Sequence, residues 1–419
     1  MLLTILTYSP VSHFAIGSTP NCKQVLDEPG LVEILKEEKF DVMIVETFES
    51  CGVVISHLIK PKSLITSSGS VPIASHNEEF GLEPAVSYNP NPMMAHLDVH
   101  SMWSRFWNVY ADVIFKLTFY TTRTEVLSNS KKNTGGRYVY RLSSPTSLSG
   151  GSQAEEQSVV TETNNLFRVV MIGGIGAKEP KKLVKELDHL LTHRSKTILI
   201  SFGSIVVAHM LPLQVKENIV KAVSQFPEVT FLWKYEKPED DFAKAALSST
   251  PNLHFLSWTP QNDLLADGRL TAFITHGGMA STQETALRGK PGLFIPFYGD
   301  QPRNSGMMEN NGLGKVFPKH DLFDSEKLVT AIKDLLENDG YRQNAARIAE
   351  MIRKKPFSAQ ELLVKTVEFA AEFGPAPALR PQRLDMTWIE FYNADLVVLL
   401  VLIVLSVSAV LLMAMARCI

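Results

Sequence analysis

Between Trp258 and Asn304 the chain carries side chains that pack poorly and bind ligands well. The indole of Trp258 is followed three residues later by the amide of Gln261. Next come Thr275-His276-Gly277-Gly278, with Ser281 and Glu284 behind them, and then Asp300-Gln301. Each cluster suits one part of a nucleotide-sugar. An indole at a strand's end can stack flat on a base, and Gln261 can hydrogen-bond a base or ribose. The two glycines let backbone approach a ligand closely. They open a helix whose N-terminal N–H groups and partial positive charge suit a diphosphate. His276 can donate to a phosphate oxygen, and Ser281 adds a hydroxyl. An ionised Glu284 carboxylate is acceptor-only and can take both ribose hydroxyls. Asp300 and Gln301 suit the hydroxyls of a sugar. Taken singly, each has a plainer reading: packing for Trp258, a solvated helix face for Glu284, a polar turn for Asp300-Gln301. Ser204, in Ser201-Phe202-Gly203-Ser204, ends another strand and reads either as a second phosphate-facing loop or as an ordinary turn. Gly173-Gly174-Ile175-Gly176 lacks a third glycine at dinucleotide spacing and gives no dinucleotide fingerprint.

The elements around these residues alternate. Strand patterns occupy 167–172, 197–201, 229–234, 253–258, 270–274 and 293–296. Helical patterns lie between them at 180–191, 213–226, 241–247, 262–266, 281–288 and 302–311, and three more follow at 324–337, 341–354 and 358–373. Such alternation predicts a doubly wound α/β domain with a parallel sheet. The N-terminal part reads as a strand (Leu2–Thr7), a short helix (Pro29–Glu38), a strand (Phe40–Val45) and a helix after Gly52. A helix over 100–120 carries Trp103, Phe106, Trp107 and Tyr110, either core residues or the wall of an acceptor pocket. The Ser/Thr/Gly/Asn-rich stretch 126–165 offers little to bury and predicts a mobile loop or linker. The expected divisions are therefore 1–165, 166–373, a Pro-rich connector to 395, and 396–416.

Composition narrows the classes. With 419 residues, two domains fit at roughly 100–200 residues each. A net charge of −3 without a long basic block argues against nucleic-acid binding. Cys22, Cys51 and Cys418 lie far apart with no CxxC, which predicts neither a disulfide framework nor a zinc site. Leu396–Ala416 is 21 residues without charge, closed by Arg417. About 20 apolar residues cross a bilayer core, so a single transmembrane helix is expected there. Trp388 and Tyr392 would anchor it at the interface, and Arg417 favours a cytosolic C-terminus. Met1–Leu6 is a poor signal peptide, lacking a basic start and broken by Tyr8-Ser9-Pro10. No N-x-S/T sequon occurs.

The text WTPQNDLL (258–265), FITHGG (273–278), Glu284, and DQPRN (300–304) resembles the signature of the UDP-glycosyltransferases, the GT-B family that includes animal UDP-glucuronosyltransferases. Gly173–Gly176, Ile200–Ser204 and the C-terminal apolar segment agree with it. The resemblance implies two Rossmann-like α/β domains, with the donor site in the C-terminal one, and a membrane helix. It implies transfer of a hexosyl group, glucuronyl or glucosyl, from a UDP-sugar to a small lipophilic acceptor with inversion, as in detoxification. By it, Trp258 stacks on uracil and Gln261 reaches the uridine. Ser204, Thr275, His276, Gly277, Gly278 and Ser281 hold the diphosphate. Glu284 holds the ribose, and Asp300 and Gln301 the sugar. Many relatives carry Asn at the position of Ala280. The family's general base would be His13, otherwise a solvated loop residue, and its orienting acid Glu46. Only 32 residues separate the two here, far fewer than in the family, so the acceptor domain looks shortened. UDP-sugar would be a co-substrate, with no cofactor or metal. A homo- or hetero-oligomer and single-pass residence in the endoplasmic reticulum membrane are further expectations. A non-catalytic UDP-sugar binder that pairs with full-length enzymes is the alternative.

Overall fold

The computed structural model describes residues 22, 24–46, 50–69, 86–117, 146–149, 169–176, 178–374 and 386–418. His13, the strand expected at Leu2–Thr7 and most of the 374–383 connector lie outside them.

Two parallel sheets carry the fold. The first has the order β1 (Val42–Glu46), β2 (Ser63–Ser68), β3 (Thr146–Ser149) and β4 (Val169–Met171). Helices α1 (Leu31–Glu37), α2 (Ser50–Ile59) and α3 (102–117) belong to this part of the chain. The second sheet holds β5 (Lys196–Ser201), β6 (Val229–Lys234), β7 (Leu253–Leu256), β8 (Leu270–Thr275), β9 (Gly292–Phe294) and β10 (Gly314–Val316), in the order β10-β9-β8-β5-β6-β7. Its strands alternate with α4 (Lys185–Leu190), α5 (Leu213–Ser224), α6 (Asp241–Ser249), α7 (Gln261–Ala266), α8 (Met279–Arg288) and α9 (Gln301–Asn310). Then follow α10 (Ser325–Glu337), α11 (Asp339–Arg353), α12 (Ala359–Phe373) and, after a helical turn at Trp388–Phe391, α13 (Ala394–Cys418).

Sequence explains the second sheet well. Ile198–Ile200 and Val229–Trp233 are continuous buried runs, as expected of parallel strands covered on both faces. Several helices start on side-chain caps: Asp240 accepts from the Ala243 N–H, Asp324 from Glu326 N–H, and Ser358 from Glu361 N–H.

Three expectations need correction. First, Cys22 and Cys51 form a disulfide with Cα atoms 5.3 Å apart. Their 29-residue separation says nothing about distance once α2 folds back beside the preceding helical segment. Second, the stretch expected to be a loop or linker contributes β3, whose backbone pairs with β2 and β4. Polar residues form a strand there because strands on both sides supply its hydrogen bonds. Third, the division expected at 165/166 leaves β4 with the C-terminal domain, whereas its hydrogen bonds place it in the first sheet. At the other end α12 returns to that sheet. Ala370 packs with Ile65 and Ile172, Ser63 Oγ donates to the Ala370 carbonyl at 2.8 Å, and Lys62 Nζ to the Ala371 carbonyl at 2.8 Å.

Among the described residues no helix is long and apolar enough to cross a membrane. The side chains of 411 and 414–418 on α13 lie outside the described set.

Candidate functional site

Strand order in the second sheet reverses between β5 and β8, which pair at Ser201 and Thr275. From that point one half of the sheet runs outward through β6 and β7, the other through β9 and β10. The loops leaving adjacent strands diverge there and open a crevice at the carboxyl ends. Gly203-Ser204 leaves β5, and His276-Gly277-Gly278 leaves β8 and enters α8.

His276 is wedged between these loops. A Cβ on Gly203 would stand 2.7 Å from the ring's Cε1, and one on Gly278 would strike Nε2. Gly203 also holds φ +80°, a left-handed conformation that favours glycine. Thr275, fully buried, sets its Oγ1 3.4 Å from His276 Nδ1. Burial, helped by the nearby Lys234 charge, pushes the imidazole pKa down to about 4. The ring is therefore neutral near pH 7 and could meet an anion only by hydrogen bonding. Gly277 lies against the buried Ser305 of α9. Ser204 is exposed beside the loop, and Ala280 is exposed in the first turn of α8.

Gln261, Ser281 and Glu284 form one set. Gln261 Nε2 donates to Glu284 Oε2 at 2.7 Å and to Ser281 Oγ at 3.2 Å. Ser281 and Glu284 share one side of α8 at i, i+3 spacing. Burial raises the Glu284 pKa, partly offset by the Gln261 amide and by Arg288. Trp258, two residues past β7, is 71% exposed and free to receive a flat ring.

Asp300 and Gln301 take different positions. Asp300 stands at the N-cap position of α9 without a side-chain cap bond, and its Oδ2 accepts from Asn304 Nδ2 at 2.8 Å. Gln301 is buried, and its Oε1 accepts the backbone N–H groups of Phe297 (2.8 Å) and Tyr298 (3.2 Å), so it shapes the loop leading into the helix. Glu46 stands exposed at the end of β1, with Oε1 3.4 Å from the Gly69 N–H.

Lys234 was not among the sequence candidates. It ends β6, beside β5 in the sheet, and is nearly buried. Its Nζ donates to the Gly203 carbonyl at 2.7 Å and to Glu236 Oε1 at 3.1 Å, and lies 5.8 Å from the Trp258 ring centroid. That distance supports a cation–π contact. Glu236 also accepts the His209 N–H at 3.1 Å. Burial pushes the Glu236 pKa up, but these hydrogen bonds and Lys234 outweigh it and leave the group ionised. The sequence signal was a charge at the carboxyl end of an otherwise apolar strand, next to the β5 loop.

Two parallel sheets, a switch-point crevice in the second and a helix returning from it to the first make up the GT-B arrangement. Solved structures agree on the fold. The glycotransferase of kitacinnamycin superposes with TM-score 0.58 at 15% identity, covering 87% of this chain and 83% of that one. The spinosyn rhamnosyltransferase SpnG complexed with thymidine diphosphate gives 0.56 at 16%, covering 85% and 80%. The profile of the family described as UDP-glucoronosyl and UDP-glucosyl transferase matches residues 3–419. A Caenorhabditis elegans protein named as a UDP-glucuronosyltransferase, ugt-48, is 31% identical over 93% of this chain and 76% of its own length. UDP-glucuronosyltransferase 1A7 of Rattus norvegicus is 28% identical over 97% and 74%. The chain belongs to the UDP-glucuronosyl and UDP-glucosyl transferase family.

Proposed function

We propose that this protein moves a hexosyl group from a UDP-sugar to a hydroxyl of a small lipophilic acceptor, with inversion at the anomeric carbon. The observation that carries the reading is the hydrogen-bonded set Gln261–Glu284–Ser281 beside neutral His276, all at one switch point. Uracil would stack on Trp258. The ribose hydroxyls would replace the Gln261 amide on Glu284. The diphosphate would lie over the start of α8, taking hydrogen bonds from backbone N–H groups, Ser204, Thr275, Ser281 and His276. These donors favour the charge that grows on the departing UDP oxygen. Asp300 and Gln301 would face the hexose. His13 would accept the acceptor's hydroxyl proton as that oxygen forms the new bond to the anomeric carbon and the bond to UDP breaks on the opposite face. Glu46 would orient His13. The donor is a co-substrate, and the scheme calls on no metal or other cofactor.

A single span at 396–416 in the endoplasmic reticulum membrane completes the proposal, supported by 21 residues without charge. The Cys22–Cys51 disulfide favours the oxidising lumenal side for the folded domains, with Arg417 towards the cytosol.

The full chain, purified in mild detergent, tests the reading with UDP, UDP-glucose, UDP-glucuronate and a panel of phenols. UDP should quench tryptophan fluorescence, His276→Ala should weaken that binding, and one of the two donors should yield a β-glycoside. UDP binding without glycoside or free sugar would overturn transfer. An unchanged affinity in His276→Ala would overturn the donor assignment.

A further inference from the structure

The loop that leaves β5 brings Ser204 to the crevice, and it is held at its two ends. Gly203 opens it, and His209 lies in the helical turn Ala208–Met210 that closes it. In between, Ser204 and Ile205 are exposed, Ile205 to 78%. Among the described residues none accepts the backbone N–H of Ser204, Ile205 or Val206. Side chains at the end of β6 grip both ends instead. Lys234 Nζ donates to the Gly203 carbonyl at 2.7 Å. Glu236 accepts from that ammonium on Oε1 at 3.1 Å and takes the His209 N–H on Oε2, also at 3.1 Å. One carboxylate therefore brackets the loop from Gly203 to His209. The His209 carbonyl is fixed as well. Lys216 Nζ donates to it at 3.1 Å and to the Tyr235 hydroxyl at 3.2 Å, and that hydroxyl donates to Asp240 Oδ2 at 2.7 Å.

We propose that Glu236 is a positioning residue for the diphosphate of the donor. By holding Lys234 and His209 together it keeps Ser204, and the backbone N–H groups that follow, aligned beside His276. The inference rests on the UDP-sugar reading above and adds a residue outside the binding set given there. Two observations favour it over a purely structural role. Neutralising Lys234 would occupy one carboxylate oxygen, yet the second goes to the backbone at the far end of the loop. Hydrogen bonds to an ionised group are also the stronger kind, suited to holding a loop that lacks backbone bonds of its own. The loop has little room to shift, because a Cβ on Gly203 would stand 2.7 Å from the His276 ring. Movement of Gly203 would therefore change the spacing between Ser204 and the imidazole.

UDP and uridine, titrated side by side against the full chain in mild detergent and followed by tryptophan fluorescence, test the proposal. Uridine carries the base and ribose without the phosphates, so it reports on Trp258 and Glu284 but not on the loop. Glu236→Ala releases both ends. If the loop then keeps its binding shape about a tenth of the time, the UDP Kd should rise about tenfold while the uridine Kd stays within about twofold. Glu236→Gln keeps one carbonyl oxygen and should fall between wild type and Glu236→Ala; it carries the test where Glu236→Ala does not fold. An equal loss for both ligands overturns the proposal by placing the effect on the base and ribose contacts. An unchanged ratio of UDP to uridine affinity in both variants overturns it too. A wild-type chain that binds UDP no more tightly than uridine overturns the donor reading itself, and this inference with it.

Discussion

Trp258, Lys234 and His276 give the crevice three different polarities. Trp258 offers an open ring face over a nearly buried ammonium, while His276 supplies an uncharged polar edge. Base–aromatic stacking contributes about 1–3 kcal/mol, so Trp258→Ala should raise the UDP Kd by roughly 5- to 150-fold. Its thermal midpoint should stay near wild type, because an exposed ring contributes little to folding. Titration calorimetry and a melting curve read the two effects. The histidine predicts a pH dependence. Its folded pKa of about 4 lies below the ordinary 6.5, so between those values the unfolded chain binds a proton that the folded chain does not. The stability present above that window is lost as pH falls through it. Between pH 7.5 and 5 this group should remove at most about 2 kcal/mol, less where solvent reaches the ring. His276→Gln should remove that part of the pH slope in urea unfolding, and an unchanged slope would show the ring is not held neutral.

Among elements, α9 joins the two units. Its first residues are Asp300 and Gln301, and its flank receives the loop 89–96. The Arg303 N–H donates to the Pro92 carbonyl at 3.3 Å, Arg303 Nη2 donates to Asn89 Oδ1 at 2.7 Å, and His96 Nε2 stands 3.0 Å from Glu309 Oε2. Gly306 lies so close to the Ala95 carbonyl that a Cβ could not enter. Burial pushes the Arg303 pKa down to about 10, which leaves it charged at pH 7. Removing an acceptor from a buried group costs about 1–3 kcal/mol. Asn89→Ala should therefore lower the melting temperature by several degrees and raise the donor KM, since the loop steadies the helix that carries Asp300. A lowered melting temperature with an unchanged KM would confine the contact to packing. Little of this was legible beforehand. The motif DQPRN marked α9, and periodicity marked its extent, but neither relates Arg303 to Asn89 across 214 positions.

For the whole molecule, the Cys22–Cys51 bridge and α12, which returns after the second sheet, both tie down the first unit. In the loop-entropy account, closing about 30 residues stabilises by about 3–4 kcal/mol. Cys22→Ser/Cys51→Ser should lower the stability of the first unit by that order while leaving UDP binding intact, because the proposed donor crevice is built on the second sheet. Limited proteolysis alongside UDP titration checks both; loss of UDP binding would show that the two units fold as one. The same pair of readouts on protein made in a reducing cytosol and in an oxidising compartment would show where the chain matures.

Local sequence determined the second sheet and marked the polar residues that gather at its switch point. Apolar runs of strand length can only be buried, and helical periodicity between them forces parallel crossovers, so β5 to β9 and their helices lie close to their expected positions. Trp258, His276, Ser281 and Glu284 were legible because their chemistry and spacing are local. Tertiary structure decided what depends on distant partners. Neighbouring strands made β3 from a polar stretch, and β4 followed its hydrogen bonds rather than the expected boundary. A distant cysteine completed a disulfide. Lys234 became part of the crevice because β5 and β6 are adjacent, and Trp103, Phe106 and Trp107 of α3 stayed exposed because the buried Asn108 holds the opposite side. Each of these is set by contacts between residues far apart in the chain, and short-range pattern carries no information about such contacts.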